Sequence, residues 1–306
     1  MKMKLVRGTA LDSLAAYALV EDEAPRPGPG QVQVRVAACG IGYVDVLVAL
    51  GGYQVKPPLP HTPGQEVAGT VTALGAGVTG IAVGDRVLAA VQGGFAEVAL
   101  APVENVYRLP AGLGFAEASA LRINYLTALH GLRDRANLKA GERLLVLGAA
   151  GGVGIAAVQV GKAMGAEVIA SAGGADKLEA AKAAGADHLV DYRSEDLRAR
   201  VLEITGGRGA DVVYDPVGGS AFDTSLRCIA PEGRLIPMGF ASGVIPQIPA
   251  NILLVKNVTV IGFYYGYWNG WGGKGEPSPK EAAALRSEEH TSELQSRLHL
   301  VCRLLL

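Results

Sequence analysis

The chain has 306 residues, with 28 lysines and arginines against 29 aspartates and glutamates, and its formal net charge is −1. This balance disfavours a nucleic-acid binder held by electrostatic attraction, which normally carries a basic excess. Apolar residues make up 49% and charged residues 19% of the chain, so a large core is available and intrinsic disorder is excluded. The length is typical of two domains, and the 42 glycines indicate many tight turns.

The sequence carries no sign of a membrane or secreted protein. It contains no run of 18 uninterrupted apolar residues, and the N-terminal segment lacks the apolar stretch of a signal peptide. The three cysteines, Cys39, Cys228 and Cys302, are too widely spaced for a disulfide framework or a zinc cluster. We therefore expect a cytoplasmic protein in a reducing compartment.

Residues 1 to 120 show the alternation of strands separated by glycine and proline turns. One short helix is predicted at Val44–Leu50. The predicted strands include Val32–Val36, Val67–Val71, Asp85–Leu88 and Phe95–Val98.

Residues 121 to 256 change to alternating strands and helices, which is typical of a doubly wound parallel sheet. The predicted strands are Leu144–Leu147, Val168–Ala170, His188–Val190, Val212–Tyr214 and Leu235–Met238. The predicted helices are Gly152–Met164, Lys177–Ala184 and Glu195–Ile204. The predicted fold class is therefore α/β, with a mostly β domain followed by a parallel-sheet domain.

The last residues differ in composition from the rest of the chain. Residues 286–306 hold two of the five histidines, His290 and His299, and one of the three cysteines, but no glycine. The segment Arg286–Ser296 resembles the translation of a sequencing-library adapter. The alternative is an amphipathic C-terminal helix, because Leu294, Leu298 and Val301 have helical spacing. We expect a non-native tail that has replaced the natural end.

A glycine turn follows the first strand of the second domain. Gly148, Gly151 and Gly154 are three residues apart and lie between a predicted strand and a predicted helix. This arrangement is typical of a dinucleotide site, in which backbone N–H groups at a helix N-terminus bind the pyrophosphate. The candidate contacts at this turn are Gly148, Gly151, Gly152, Val153 and Gly154.

The end of the second strand of this domain favours NADPH over NADH. An NAD site usually has an acidic residue there for the ribose hydroxyls, but the chain has none before Asp176. The hydroxyl of Ser171 and the ammonium group of Lys177 suit a 2′-phosphate. Tyr192 and Arg193, just after the third strand, are candidates to complete the pocket.

Several motifs together resemble the medium-chain dehydrogenase/reductase superfamily, in its zinc-free NADPH:quinone oxidoreductase branch, which includes zeta-crystallin-like proteins. They are ACGIGYVD (38–45), GGYQ (51–54), PGQEVAG (63–69), VGDRV (83–87), GGFAEV (93–98), GAD (185–187) and GRLIPMG (233–239). The resemblance implies a GroES-like catalytic domain over 1–120 and a Rossmann domain over 121–256. It further implies a segment at 257–285 that returns to the catalytic domain and is truncated here, before the tail at 286–306.

The positions of the zinc ligands in zinc-dependent relatives are changed in this chain. Gly42 stands at the motif position of the first cysteine, and Gln65 replaces the histidine before Glu66. No four-cysteine lobe is present near 95–110. Since zinc requires thiolate or imidazole ligands, we expect no metal.

Without a Lewis acid, reduction of an electron-poor acceptor is easier than oxidation of an alcohol. We expect hydride transfer from NADPH to a quinone or an α,β-unsaturated carbonyl, which requires alignment and a proton source. The resemblance identifies Tyr53 as the candidate proton donor, with Tyr43 as the second candidate. It also implies that Thr127, Gly239 and Phe240 border the nicotinamide.

Three alternatives stay open on the sequence. An enoyl-CoA or alkenal reductase shares every motif above, and a non-catalytic NADPH-binding protein shares the cofactor site. A zinc alcohol dehydrogenase fits least well. The aromatic segment Phe263–Trp271 suits either a wall for a flat acceptor or a packing surface. The preceding segment Asn257–Ile261 is a candidate strand for pairing in a homodimer.

Overall fold

The computed structural model describes residues 1–268 of the chain. It divides into two compact units. The first comprises Met1–Ile123 and resumes at Gly266, and the second comprises Asn124–Tyr265.

The first unit is built mainly from antiparallel sheets. A hairpin of two strands precedes a five-stranded sheet whose spatial order is β6-β3-β4-β5-β7. The strands are β1 (Lys2–Gly8), β2 (Tyr17–Glu23), β3 (Gln31–Cys39), β4 (Glu66–Leu74), β5 (Arg86–Ala90), β6 (Val98–Pro102) and β7 (Val106–Arg108). The helices are α1 (Tyr43–Ala49) and α2 (Phe115–Ala118), with short 3₁₀ turns at Leu14–Ala16 and Val103–Asn105.

Valines that alternate along these strands form the core of this unit. Val32 and Val34 on β3 are fully buried, and they pack with Val67 on β4 and Val87 on β5. The residues between the buried valines of β3 are partly exposed. This is the period-2 pattern of a sheet with one buried face.

The strand predicted at Phe95–Val98 is placed wrongly, because β6 begins only at Val98. Residues before Val98 pair with β1 instead: Ala96 forms a bridge with Leu5, and the N–H of Val6 donates to the carbonyl oxygen of Phe95 at 2.8 Å. The sequence pattern does not show which partner strand such a segment takes.

The second unit contains a six-stranded parallel sheet in the order β10-β9-β8-β11-β12-β13. The strands are β8 (Arg143–Leu147), β9 (Glu167–Ala172), β10 (His188–Asp191), β11 (Ala210–Asp215), β12 (Ile229–Pro237) and β13 (Thr259–Val260). The helices within this unit are α4 (Gly152–Ala163), α5 (Ala175–Ala183), α6 (Leu197–Ile204), α7 (Gly219–Cys228) and α8 (Ala250–Lys256). Two further helices cross its boundaries: α3 (Arg122–Leu129), which a π-helix at His130–Arg135 continues, and α9 (Tyr265–Trp268).

Both faces of this sheet are buried, as a doubly wound fold requires. On β8, Leu144 and Val146 belong to one core cluster, whereas Leu145 and Leu147 belong to another. The strands β9 and β11 divide their residues between the two clusters in the same way. The predicted fold class is confirmed: a mostly β unit is followed by a doubly wound parallel sheet.

Several local features of the second unit differ from the sequence prediction, and helices α3 and α8 were not predicted. The strand predicted at Asn257–Ile261 covers only Thr259–Val260, because Asn257 adopts a left-handed conformation with φ of 54° at the end of α8. Helix α7 was not predicted either, since glycines occupy its N-cap and its first position and it contains serine and threonine. Among the described residues, no helix has both the length and the apolar composition needed to cross a membrane.

Candidate functional site: the dinucleotide turn and its surroundings

The glycine turn lies between β8 and α4, as the sequence predicts. Gly148 has a φ of 56°, which is unfavourable for residues with a Cβ. A Cβ at Gly154 would lie 2.3 Å from the carbonyl oxygen of Gly148, so only glycine allows this close approach of helix and turn. At Gly151 the space is open, because a Cβ there would have only the Gly148 oxygen nearby, at 3.4 Å.

The first turn of α4 presents unused hydrogen-bond donors. No side chain caps this helix, and its first turn contains no acidic residue. Within residues 1–268, no protein group accepts a hydrogen bond from the N–H groups of Gly152, Val153 and Gly154. Free N–H groups at the positive end of a helix suit an anion, so this turn fits the pyrophosphate of a dinucleotide.

The structure brings Tyr192 and Arg193 against the glycines that follow β9. A Cβ at Gly173 would lie 2.7 Å from the Tyr192 hydroxyl and 2.8 Å from Nε of Arg193. A Cβ at Gly174 would lie 3.3 Å from Nη1 of Arg193. This corner therefore carries a guanidinium and a phenol side by side.

Asp191 fixes the geometry of this corner. Its Oδ1 accepts hydrogen bonds from the N–H groups of Arg193, at 3.0 Å, and Gly174, at 3.2 Å. These backbone hydrogen bonds hold the pKa of Asp191 below its usual value, and the one from the N–H of Arg193 has the largest effect on it. Sequence reasoning missed this residue, because its role depends on two loops that are 17 residues apart.

Ser171 and Lys177 occupy different environments at the same end of the sheet. Ser171 lies on β9 between β8 and β10 and is only 1% exposed. Lys177 lies in the first turn of α5 and is exposed to solvent. Lys177, Tyr192 and Arg193 are thus exposed at this corner, and so is the acidic residue Asp176 beside Lys177.

Helix α3 reaches the glycine turn from the other side. The side-chain amide of Asn124 lies about 3 Å from the position that a Cβ of Gly152 would occupy. The hydroxyl of Tyr125 donates to Oε1 of Gln159 on α4, which fixes one helix against the other. Thr127 is buried on this same helix. Asn124 was missed on the sequence, since no spacing rule connects it to the turn.

The loops after β11 and β12 complete the edge of the sheet near the turn. A Cβ at Gly148 would lie 3.2 Å from Cγ2 of Val217 and 3.5 Å from Cγ of Pro216. The carbonyl oxygen of Pro216 would in turn lie 3.4 Å from a Cβ at Gly239. Phe240 follows and is 39% exposed. Gly239 and Phe240 are thus connected to the glycine turn through Pro216 and Val217.

Asp215 organises the loop that starts at Pro216. The residue is fully buried, and its Oδ1 accepts from the N–H groups of Val217 at 2.8 Å and Gly218 at 2.9 Å. Burial raises the pKa of this carboxyl. The loop that carries Pro216 and Val217 therefore rests on a buried carboxyl group, which sequence reasoning missed.

In the first unit, Tyr43 and Tyr53 lie at opposite ends of α1. Tyr43 is the first residue of the helix and is 59% exposed, whereas Tyr53 follows the helix in a half-buried loop. Asp45 fixes the start of α1, because its Oδ2 accepts from the N–H of Gly42 at 2.8 Å and its Oδ1 from the N–H of Gly64 at 3.3 Å. Both tyrosines stay candidate proton donors.

Glu66 is a buried carboxyl group in the same unit. It is 4% exposed, and its Oε2 accepts from the N–H of Ile123 at 3.0 Å. Burial raises the pKa of Glu66 to about 7, against the lowering effects of the Ile123 N–H and the charge of Arg122. This residue therefore titrates near neutral pH.

Cys39 and Gln65 lie near the positions at which zinc-dependent relatives carry their metal ligands, and both are poorly suited to bind a cation. Burial raises the pKa of the Cys39 thiol to about 12, and this thiol donates to the carbonyl oxygen of Glu66 at 3.2 Å. Gln65 has a buried Oε1 that accepts no hydrogen bond from the described residues. A metal requires the thiolate rather than the thiol. In the described part of the chain, no three His, Cys, Asp or Glu side chains form a group that can hold a metal ion.

The aromatic segment that begins at Phe263 is described only in part. The ring of Tyr265 stacks on His130 of the π-helix, with centroids 6.0 Å apart and an angle of 25° between the rings. Tyr265 is buried, so this ring has a packing role in the second unit. Residues 269–271 of this segment, most of the return segment predicted at 257–285 and the tail predicted at 286–306 lie outside the described residues.

Comparison with known proteins finds a family model for each of the two units. Residues 28–111 match the family described as "Alcohol dehydrogenase GroES-like domain", and residues 152–273 match the family described as "Zinc-binding dehydrogenase". The chain is 44% identical over 268 residues to the quinone oxidoreductase-like protein 2 homolog of Nematostella vectensis, which covers 86% of this chain and 73% of that protein.

Two solved structures show the same fold. The Escherichia coli quinone oxidoreductase complexed with NADPH is 32% identical with a TM-score of 0.81, covering 97% of this chain and 89% of its own. The CurK enoyl reductase is 27% identical with a TM-score of 0.81, covering 97% of this chain and 87% of its own. The comparisons thus support an oxidoreductase with a nicotinamide cofactor. This chain belongs to the medium-chain dehydrogenase/reductase superfamily, in the branch that contains the zinc-free quinone oxidoreductases.

Proposed function

We propose that the protein is a zinc-independent reductase that uses NADPH to reduce a quinone or another electron-poor enone. The observation that carries the cofactor proposal is the corner after β9, where the guanidinium of Arg193 lies against Gly173 and Gly174. A guanidinium binds phosphate oxygens through charge-assisted hydrogen bonds, and a 2′-phosphate is the group that distinguishes NADPH from NADH. Lys177 adds a second exposed cation in the first turn of α5.

The residues of the second unit fit a dinucleotide along the carboxyl end of the sheet. The free N–H groups of Gly152 and Val153 would hold the pyrophosphate, and Tyr192 and Arg193 would hold the adenosine phosphate. Gly239 and Phe240 would border the nicotinamide, together with Thr127. A bound reduced nicotinamide supplies a hydride ion to an acceptor.

The reaction also requires a proton. A quinone becomes a hydroquinone when it takes up one hydride and one proton. The phenol O–H of Tyr53 is our candidate donor, because Tyr53 matches the tyrosine of the family's GGYQ motif, and Tyr43 at the start of α1 is the alternative. Solvent would then return the proton to the phenol.

The cofactor proposal is tested by titration. NADPH and NADH are added separately to the purified protein, and binding is followed by the change in nicotinamide fluorescence. We expect NADPH to bind at least tenfold more tightly, corresponding to about 1.4 kcal/mol. Equal dissociation constants would contradict the proposed role of the corner after β9. In the same titration Lys177→Ala is expected to weaken NADPH binding more than NADH binding, and Lys182→Ala is its control, because Lys182 lies in the last turn of α5.

An enoyl or alkenal reductase is the second candidate, and the likeness to the CurK enoyl reductase favours it. The two functions are separated by comparing kcat/KM for a small quinone, a short alkenal and an enoyl thioester with NADPH. The quinone is expected to have the highest value. A higher value for the thioester would make the second candidate the better assignment, and binding of NADPH without turnover of any acceptor would indicate a non-catalytic protein.

We also propose that the chain forms a homodimer in the cytoplasm. The edge of the parallel sheet supports the dimer, since β13 pairs with β12 on one side and has no described partner strand on the other. An unpaired edge can add a second strand across a two-fold axis. Light scattering after size exclusion tests this, and a mass near the 31.5 kDa of one chain would contradict it.

A further inference from the structure

A surface cavity of about 480 Å³, widely open to solvent, lies among α6, α7 and α8 of the Rossmann unit. Its apolar wall is formed by Leu226, Ile252 and Val255. Its volume lies within the range of small-molecule sites. None of its lining residues belongs to the glycine turn or to the loops after β9, β10, β11 and β12.

Three cationic side chains line the same cavity: Arg198 of α6, Arg227 of α7 and Lys256 of α8. Within the described residues, the side chains of Arg198 and Arg227 form no hydrogen bond and no ion pair. Their donors are therefore available to a ligand that enters the cavity.

Lys256 contributes charge but few free donors. Its Nζ donates to the carbonyl oxygens of Leu226 at 3.1 Å, Arg227 at 3.2 Å and Ile229 at 3.2 Å. An ammonium group has three donors, so these contacts satisfy it. Burial lowers the pKa of Lys256, and the charge of Arg198 lowers it further. The cations in this cavity thus repel each other.

No acidic residue among those that line the cavity offsets these charges. Asp196 lies close enough to raise the pKa of Cys228, but its Oδ1 already accepts from the N–H of Ala199 at 2.7 Å, where it caps α6. Burial raises the pKa of the Cys228 thiol to about 11, so this group is uncharged at neutral pH. The positive charge of the cavity is left without a partner among the described residues that face it.

We propose that this cavity binds a small amphipathic carboxylate, with its head group on Arg198 and Arg227 and its short alkyl chain on Ile252 and Val255. The planar guanidinium matches a carboxylate in a two-point contact. An alkyl chain gains free energy by covering the apolar wall. The site is separate from the cofactor turn, so the proposal does not depend on the proposed reductase activity.

Octanoate is the probe for this site. Calorimetric titration of the intact chain is expected to give saturable binding of one octanoate per chain. Inorganic phosphate, which has the charge without the chain, and 1-octanol, which has the chain without the charge, are each expected to bind at least about tenfold more weakly. Phosphate binding as tight as octanoate would overturn the amphipathic site.

Matched variants locate the binding. Arg198→Gln and Arg227→Gln are each expected to weaken octanoate binding about tenfold, and the double variant more. Arg208→Gln is the control, because Arg208 lies in the same unit, pairs with Asp211 at 3.0 Å and does not line the cavity. All three arginines are exposed on helices or turns, and equal melting temperatures of the four variants verify folding. Absence of saturable binding, or unchanged binding by the double variant, would overturn the proposal.

Discussion

Replacement of Glu66 by glutamine is expected to remove a pH dependence of stability that the buried carboxyl imposes on the first unit. The folded state raises the pKa of this group from 4.5 to about 7, chiefly through burial. The folded chain therefore binds more protons than the unfolded chain between these pH values. The free energy of unfolding must then fall as pH rises through this window.

The magnitude follows from the size of the shift. At about 1.4 kcal/mol per pKa unit, a rise from 4.5 to about 7 corresponds to about 3 kcal/mol. This stability is present in full below pH 4.5 and is lost above pH 7. Glutamine resembles the protonated carboxyl and can still accept from the N–H of Ile123. The variant and the parent should therefore be similarly stable near pH 4.5, whereas above pH 7 the variant should be more stable by about 3 kcal/mol.

The assay is equilibrium unfolding in urea at several pH values between 4.5 and 8, on the parent and on Glu66→Gln. Subtraction of the two curves removes the contributions of groups that both proteins share. Glu104→Gln is the control, because Glu104 is exposed in the same unit, and its curve should run parallel to that of the parent. A difference between Glu66→Gln and the parent that stays constant over this pH range would refute the reasoning.

Three further predictions concern the cofactor and the proton. Lys177→Ala and Arg193→Gln should each weaken NADPH binding by about 1.5–3 kcal/mol and NADH binding much less, and an equal loss in titrations with both cofactors would contradict this. Gly154→Ala should lose cofactor binding and stability, because its Cβ would clash with a backbone oxygen, whereas Gly151→Ala should fold normally; thermal melts that coincide would contradict this. Tyr53→Phe should lower kcat for the quinone without changing the dissociation constant of NADPH, and unchanged turnover would remove Tyr53 as the proton donor.

Local patterns were sufficient to predict five strands and three helices of the Rossmann unit. Helix α4 begins at Gly152 as predicted, because the glycine turn marks its start. The strands β8 and β9 were predicted from short apolar runs that are buried on both faces of the sheet. The same reasoning failed at α7, whose residues have low helix propensity and are held by tertiary packing of Phe222 and Leu226.

The candidate site shows the limit of reading one sequence. The glycine turn is local, so its spacing is visible along the chain. Asn124, Asp191 and the loop at Pro216 become neighbours of site residues only through the order of strands in the sheet. Ser171 was predicted as a cofactor contact but is buried, because a polar residue at a strand end can be enclosed between two neighbouring strands. Such relations depend on topology rather than on spacing.

We propose that this chain transfers hydride from NADPH to an electron-poor acceptor without a metal. The decisive experiment is the initial rate of NADPH oxidation with a small quinone in the presence of EDTA, compared with NADH under the same conditions. We expect turnover with NADPH, little turnover with NADH and no effect of EDTA. Loss of the rate in EDTA and its return with added zinc, or equal rates with the two cofactors, would contradict it.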